Sequence, residues 1–140
     1  MCKGRSPQSA VSRDKMRSSL QSLEIYKDAV VIGEVVWDHV AGWNHLAQDT
    51  IGKQMIHSAD SIAVSLAEGY GHNHERENLK CCYHCRGSLV ETQTWLEVAA
   101  HHRLTDSEQA RQLYRDLETL RKRLNAYIKT IGPQSPPHDS

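Results

Sequence analysis

The chain has 140 residues, 39% of them apolar, and its seventeen basic and seventeen acidic side chains cancel to a net charge of zero. That length supports one domain with one modest core, and no apolar run approaches the about eighteen residues of a membrane span, so no membrane partner is expected. The four cysteines stand at 2, 81, 82 and 85, a poor disulfide framework, and Met1 to Ser12 lack the apolar stretch of an export signal, so reduced thiols and a cytoplasmic location are expected.

Charge is unevenly spread along the chain. Residues 1–20 carry five basic and one acidic side chain, a net of +4. Residues 21–105 carry six basic and eleven acidic, a net of −5, and residues 106–132 carry six and four, a net of +2. Such asymmetry lets a neutral chain bind a polyanion locally.

Residues 1–21 are rich in Ser, Lys and Arg and read as a flexible basic arm. Residues 22–132 read as a four-helix bundle, and 133–140 as a disordered tail. The first helix is expected over about Leu23 to Ala41. Tyr26, Val30, Gly33, Trp37 and Val40 alternate by four and three, the stripe of a packed helix. Ser22 is its expected cap and Gly42 its end. The second helix is expected over Thr50 to Glu68, capped by Asp49, with the stripe Ile51, Met55, Ala59, Ile62 and Leu66. Gly69 and Gly71 are expected to stop it in the left-handed conformation that glycine takes cheaply. Glu68, in its last turn, is disfavoured by the helix dipole and calls for a basic partner.

The third helix is expected over His74 to Arg103, capped by Asn73, with Glu75 and Glu77 complementing its dipole. It carries two apolar stripes. One is Leu79, Cys82, Leu89, Leu96 and Ala100; the other is Cys81, Cys85, Trp95 and Ala99. Burial on two sides follows, either at the centre of the bundle or at a subunit contact. Gly87 and Ser88 form a small-residue patch that admits a neighbouring backbone. In the fourth helix Thr105 and Glu108 have the spacing of a capping box. Ala110, Leu113, Leu117, Leu120, Leu124, Tyr127 and Ile131 then repeat by three and four up to Gly132 and Pro133. No strand alternation occurs, and short loops between long helices favour an all-α, antiparallel up-down bundle.

Few side chains carry chemistry. His74-Glu75-Arg76-Glu77-Asn78 lacks the second His of a zinc-protease helix. No His has a Glu three residues before it, as a di-iron bundle requires. No Walker loop, dinucleotide fingerprint or G-x-S-x-G occurs. No catalytic residue and no cofactor are assigned, and the chain is expected not to be an enzyme. The candidate nucleic-acid surface is Arg111, Arg115, Arg121, Lys122, Arg123 and Lys129. Arg111, Arg115 and Lys122 are spaced by four and seven, so they share a face away from the leucine stripe. A line of cations can follow a phosphate backbone; the plain alternative is a solvated helix face. Trp37, Trp43 and Trp95 read as core or subunit anchors.

The run Ser61, Ile62, Ser65, Leu66, Ala67, Glu68, Gly69, Gly71, His72, followed by Gly87, Ser88, Leu89 and Glu91, resembles the four helix bundle protein family. These are small bacterial proteins, some of them encoded by intervening sequences inside large-subunit ribosomal RNA genes. An earlier match falls on Leu23, Ile25, Tyr26 and Ala29. Ala63, Ser65 and His72 depart from the family's Pro, Asn and Arg, and His72 removes a basic residue from the helix junction. The resemblance implies an antiparallel four-helix protomer and a ring-shaped homopentamer. It also implies kinship with the accessory protein of diversity-generating retroelements, which binds nucleic acid and a reverse transcriptase.

His72, His74, Cys81, Cys82, His84 and Cys85 gather imidazoles and thiols, the ligands zinc prefers. Cys81 and Cys85 fall where the family carries apolar residues, however, and no second Cys pair stands at zinc-ribbon spacing. Small core hydrophobes are the favoured reading, with a metal site at His72, His74, Cys81, His84 and Cys85 as the lesser alternative. The expected function is a non-enzymatic, oligomeric scaffold for RNA or DNA that serves a reverse transcriptase or an RNA element. A protein-interaction module without nucleic-acid contact stays open beside it.

Overall fold

A computed structural model describes residues 7–71 and 74–131, with side-chain burial from Arg13 and from Met16 onward. The elements are α1 (Pro7–Ala41), a single turn α2 (His45–Ala47), a π-helical turn (Gln48–Gly52), α3 (Lys53–Tyr70), α4 (Glu75–His101) and α5 (Ser107–Thr130). No strand occurs among the described residues. The π turn joins α2 to α3 without a break, so the chain forms four rods. α1 packs against α3 and α5, and α4 packs against the same two. Connections this short leave each rod antiparallel to the next.

α1 begins at Pro7, far ahead of the Leu23 start expected from the sequence. Proline suits a helix start because its missing N–H needs no partner there. The segment read as an arm is therefore helical from Pro7, and Met16 and Leu20 continue the spacing of Leu23 upstream. Residues 1–6 and the expected tail, 133–140, lie outside the described residues, as do Gly132 and Pro133.

The buried stripe of α1 is Ser22, Ile25, Ala29, Ile32, Val36 and Val40. Val40 is buried as expected, while the other four positions of the expected stripe lie one residue, about 100° around the helix, from the buried one. Tyr26 and Trp37 are exposed, while Val30 and Gly33 are half-buried. Ser22 is buried within α1 rather than capping it.

At the α1–α2 corner Asn44, not Asp49, is the cap: its Oδ1 accepts the Ala47 amide at 3.0 Å. The Gln48 side chain donates to the Val40 and Ala41 carbonyls at 3.1 Å each, serving orphan acceptors at the end of α1. α3 buries Met55, Ala59, Ile62 and Leu66, as its pattern predicts.

α3 and α4 meet along a seam of small and hydroxylic side chains. Thr92 Oγ1 lies 2.9 Å from Ser58 Oγ and 2.8 Å from the Ser88 carbonyl, and Ser88 Oγ donates to Ser61 Oγ at 3.0 Å. The seam is close because its residues are short, and its buried hydroxyls are satisfied. Gly69 belongs to this seam rather than to a cap. It lies inside α3, where a Cβ would stand 2.5 Å from Asn78 Oδ1 and 2.9 Å from Cys81 Cβ. Gly71 follows the helix with φ −73°, so no left-handed stop is used. Gly87 differs: a Cβ there would meet nothing within 4 Å. It admits no neighbouring backbone, and Ser88 makes the contact instead. Gly87→Ala is expected to stabilise the protein by about 0.5–1 kcal/mol, because alanine loses less backbone entropy on entering a helix. A midpoint in urea at or below that of the parent would contradict this.

α4 spans Glu75–His101, with His74 at its cap position and no side-chain cap bond; Asn73 and His72 lie outside the described residues. Its two stripes merge into one wide band of Cys82, Cys85, Leu89, Leu96 and Ala99, while Ala100 is exposed. α3 and α5 cover the two sides of that band, so burial within the protomer accounts for it. α4 closes in a Schellman turn. Arg103, at φ 57°, donates to the Ala100 carbonyl and Leu104 donates to the Ala99 carbonyl, each at 3.0 Å.

α5 buries all seven residues of its expected stripe. Its cap is Asp106, which accepts the Gln109 amide at 3.2 Å. Thr105 is not the cap. Its hydroxyl lies 3.0 Å from His39 Nδ1, tying the α4–α5 connection to the end of α1. Burial lowers the pKa of His39, with Asp38 opposing.

Candidate nucleic-acid interface

α5 turns its leucines inward, so residues half a turn away point to solvent. Arg111, Arg115, Lys122 and Lys129 recur there by four, seven and seven, and all four are exposed. At 1.5 Å per residue they span about 27 Å of helix. None of the four has an ion-pair partner among the described residues. Arg115 only donates to Gln112 Oε1, at 2.9 Å.

The other two expected cations are engaged elsewhere. Arg121 grips Glu118 with two hydrogen bonds, at 3.0 and 2.8 Å, and Gln93 of α4 donates to the same carboxylate at 2.8 Å. The Arg121 bonds, then that from Gln93, hold the Glu118 carboxyl down at about 2. Its folded pKa is below its unfolded one, so this contact supports the fold at neutral pH. That support is lost as pH falls from the ordinary carboxylate range toward 2. Arg123 reaches α1, pairing with Asp28 and, at 3.2 Å, with Glu24. Arg121 therefore steadies a carboxylate that bridges to α4, Arg123 links α5 to α1, and four of the six expected cations make an open ridge.

Two residues of α4 extend that ridge and were missed in the sequence. Arg86 Nη1 donates to Asn125 Oδ1 of α5 at 3.1 Å. Its guanidinium carbon stands 5.1 Å from the centroid of the Tyr83 ring. Tyr83 and Arg86 are three apart on one helix, the spacing of facing neighbours. That signal was present, but it lies on a different helix from the cation run.

His72 of the Cys/His cluster lies outside the described residues. Among the described residues no group of three His, Cys, Asp or Glu side chains is placed to hold a metal ion. Cys82 and Cys85 are buried core members, and desolvation pushes their thiols up to about 11 and about 12. His84 lies with Nε2 3.5 Å from Ser61 Oγ. Cys81 is half-buried, and its thiol is raised by desolvation and then by Glu68 and Glu77. Glu68 is exposed and has no basic partner among the described residues.

A second surface feature is apolar. Met16, Leu20, Leu23 and Tyr26 of α1 face Ala67 and Tyr70 of α3 across a groove of about 420 Å³. Further along the same α1–α3 face, Val30, Gly33 and Trp37 oppose Asp60, Ala63 and Val64. Trp43 is buried at the corner and Trp95 is half-buried, whereas Trp37 is 60% exposed. No described helix is long and apolar enough to cross a membrane.

Comparison with the curated proteins finds no match. Among solved structures, one similar chain is a protein of unknown function from the S23 ribosomal protein family of Bacteroides thetaiotaomicron. It shares 17% sequence identity at a TM-score of 0.70, over 78% of this chain and 98% of that one, which shows a common fold. The family model described as 23S rRNA-intervening sequence protein matches residues 21–126. That span takes in most of the α1–α3 face, the hydroxylic seam and most of the α5 ridge, and the chain belongs to this family.

Proposed function

We propose that this protein is a non-enzymatic scaffold that assembles with copies of itself and binds RNA or DNA along α5. The observation that carries the reading is the ridge of Arg111, Arg115, Lys122 and Lys129, exposed and unpaired among the described residues. Cations kept out of the bundle's own ion pairs are available to phosphates. The α1–α3 apolar face supports self-assembly, and the family resemblance supports a ring of five. A ring would repeat the ridge and gain avidity from weak single contacts. The retroelement kinship supports a reverse transcriptase as protein partner. The free thiols at Cys81, Cys82 and Cys85 fit a reducing cytoplasm.

The test is a titration of labelled RNA and DNA against the parent protein and a variant with Arg111, Arg115, Lys122 and Lys129 all changed to Gln. Four phosphate contacts imply a roughly 50- to 150-fold loss of affinity between about 50 and 200 mM salt. The variant is expected to bind weakly and with a nearly flat salt response. Arg121 and Arg123 are left in place, because both are engaged in ion pairs and Arg123 ties α5 to α1. Equal binding by both proteins would remove the ridge from the account. No binding by either would leave a protein-interaction module.

A further inference from the structure

The ridge alone explains attraction to phosphates but not what Tyr83 does beside it. Tyr83 is 47% exposed, while Tyr127 on the facing helix is buried and accepts a hydrogen bond from Asn78 at 3.2 Å. Arg86 stacks its guanidinium on one face of the Tyr83 ring, at 5.1 Å from the centroid. Arg86 is in turn held by Asn125 Oδ1. Asn125 stands three residues after Lys122 and four before Lys129, so it lies between two ridge cations on their side of α5. Ring and guanidinium are thus tied to α5 at a position between two ridge cations.

This arrangement suits a base rather than a phosphate. A ring fixed by a neighbouring cation loses little freedom when a second planar group stacks on it. In a duplex the base faces are already stacked on one another, and only edges are available in the grooves. An unpaired base can offer its face, and base–aromatic stacking is tolerant of sequence. Building on the reading of α5 as a phosphate-binding ridge, we propose that Tyr83, backed by Arg86, is a stacking platform for an unpaired nucleobase. The site therefore selects single-stranded over duplex nucleic acid.

The experiment uses the full chain at low salt, with a labelled single-stranded RNA, a single-stranded DNA of the same sequence and a blunt RNA duplex of the same length. Tyr83→Ala is expected to weaken binding of both single strands by about 5- to 150-fold, with duplex affinity and the salt slope unchanged. Tyr83→Phe keeps the ring and is expected to bind as the parent does. A strand carrying iodouracil is expected to photo-crosslink to the peptide that holds Tyr83. Circular dichroism of the variants is expected to match the parent, since the side chain lies at the surface. Parent-like binding by Tyr83→Ala would overturn the platform, and so would an equal loss in Tyr83→Phe or crosslinks confined to α5. Salt-sensitive binding that ignores Tyr83 would overturn this inference alone. A parent protein that binds none of the three probes would overturn the ridge as well.

Discussion

Light scattering of the purified chain is expected to give a mass several-fold above the 15.9 kDa protomer, and Leu20→Glu with Tyr70→Glu is expected to return it to the protomer mass. Leu20 is 58% exposed and Tyr70 60%, and both line the α1–α3 groove. Val64 and Trp37 continue the same face. Soluble monomers rarely show so long a contiguous apolar strip without a use for it. Covering one large apolar side chain contributes about 1.5–3 kcal/mol. A glutamate in its place would have to be buried unpaired, which costs at least as much again. Each ~1.4 kcal/mol is tenfold in a dissociation constant, so two such changes per copy shift association by orders of magnitude. Both positions are exposed in the protomer, so the helical signal of the variant is expected to stay. A parent protein that runs as a protomer at micromolar concentration would sink the assembly.

Gly69→Val is expected to lower the unfolding free energy by about 1–3 kcal/mol or more, the cost of forcing extra atoms into a packed seam. The first added carbon already overlaps Asn78 Oδ1 and Cys81 Cβ. Relief takes two routes together: α3 and α4 part to clear Cys81 Cβ, and Asn78 swings away to clear its Oδ1. The second route breaks the Asn78 bond to Tyr127, which joins α4 to α5, so damage at one seam reaches the next. Urea unfolding measures this directly, through a lower midpoint at an unchanged slope. The contrast with Gly87→Ala is the sharper check, because the sequence reads Gly69 as a helix stop and Gly87 as the close-packed glycine, whereas in the structure Gly69 is the close-packed one and Gly87 is open. Opposite signs would follow from packing, and equal signs would refute it.

Legibility in the sequence tracks how one-sided each helix is. α5 has a single apolar face between polar ones, so its stripe could be read residue by residue. α1 has two apolar faces about 100° apart. Ile25, Ala29, Ile32 and Val36 make one, and Tyr26, Val30 and Trp37 make the other. The aromatic residues dominate the apolar pattern yet lie on the surface face, while the smaller aliphatics fill the core. The π turn and the Asn44 cap were hidden because neither changes the local composition of a helix. The exposure of Arg111, Arg115 and Lys122 on one face of α5 was legible from their spacing alone. The pairing of Arg123 with Asp28 and Glu24 was not, because those residues lie about a hundred positions away and meet it only after folding. The spacing of Tyr83 and Arg86 on α4 is legible, but nothing local to α4 says that α5 and Asn125 lie beside them.

The π-helical stretch Gln48–Gly52 has an evolutionary corollary. A π turn holds one more residue than the α turn it replaces, so it behaves as a single-residue insertion absorbed within a helix. A sister protein one codon shorter between Asn44 and Lys53 would carry an unbroken α-helix there. In such a sister the corner around Trp43 would be rotated by about 100° relative to the rod that follows, and an aligned set would place its gap inside a helix rather than in a loop.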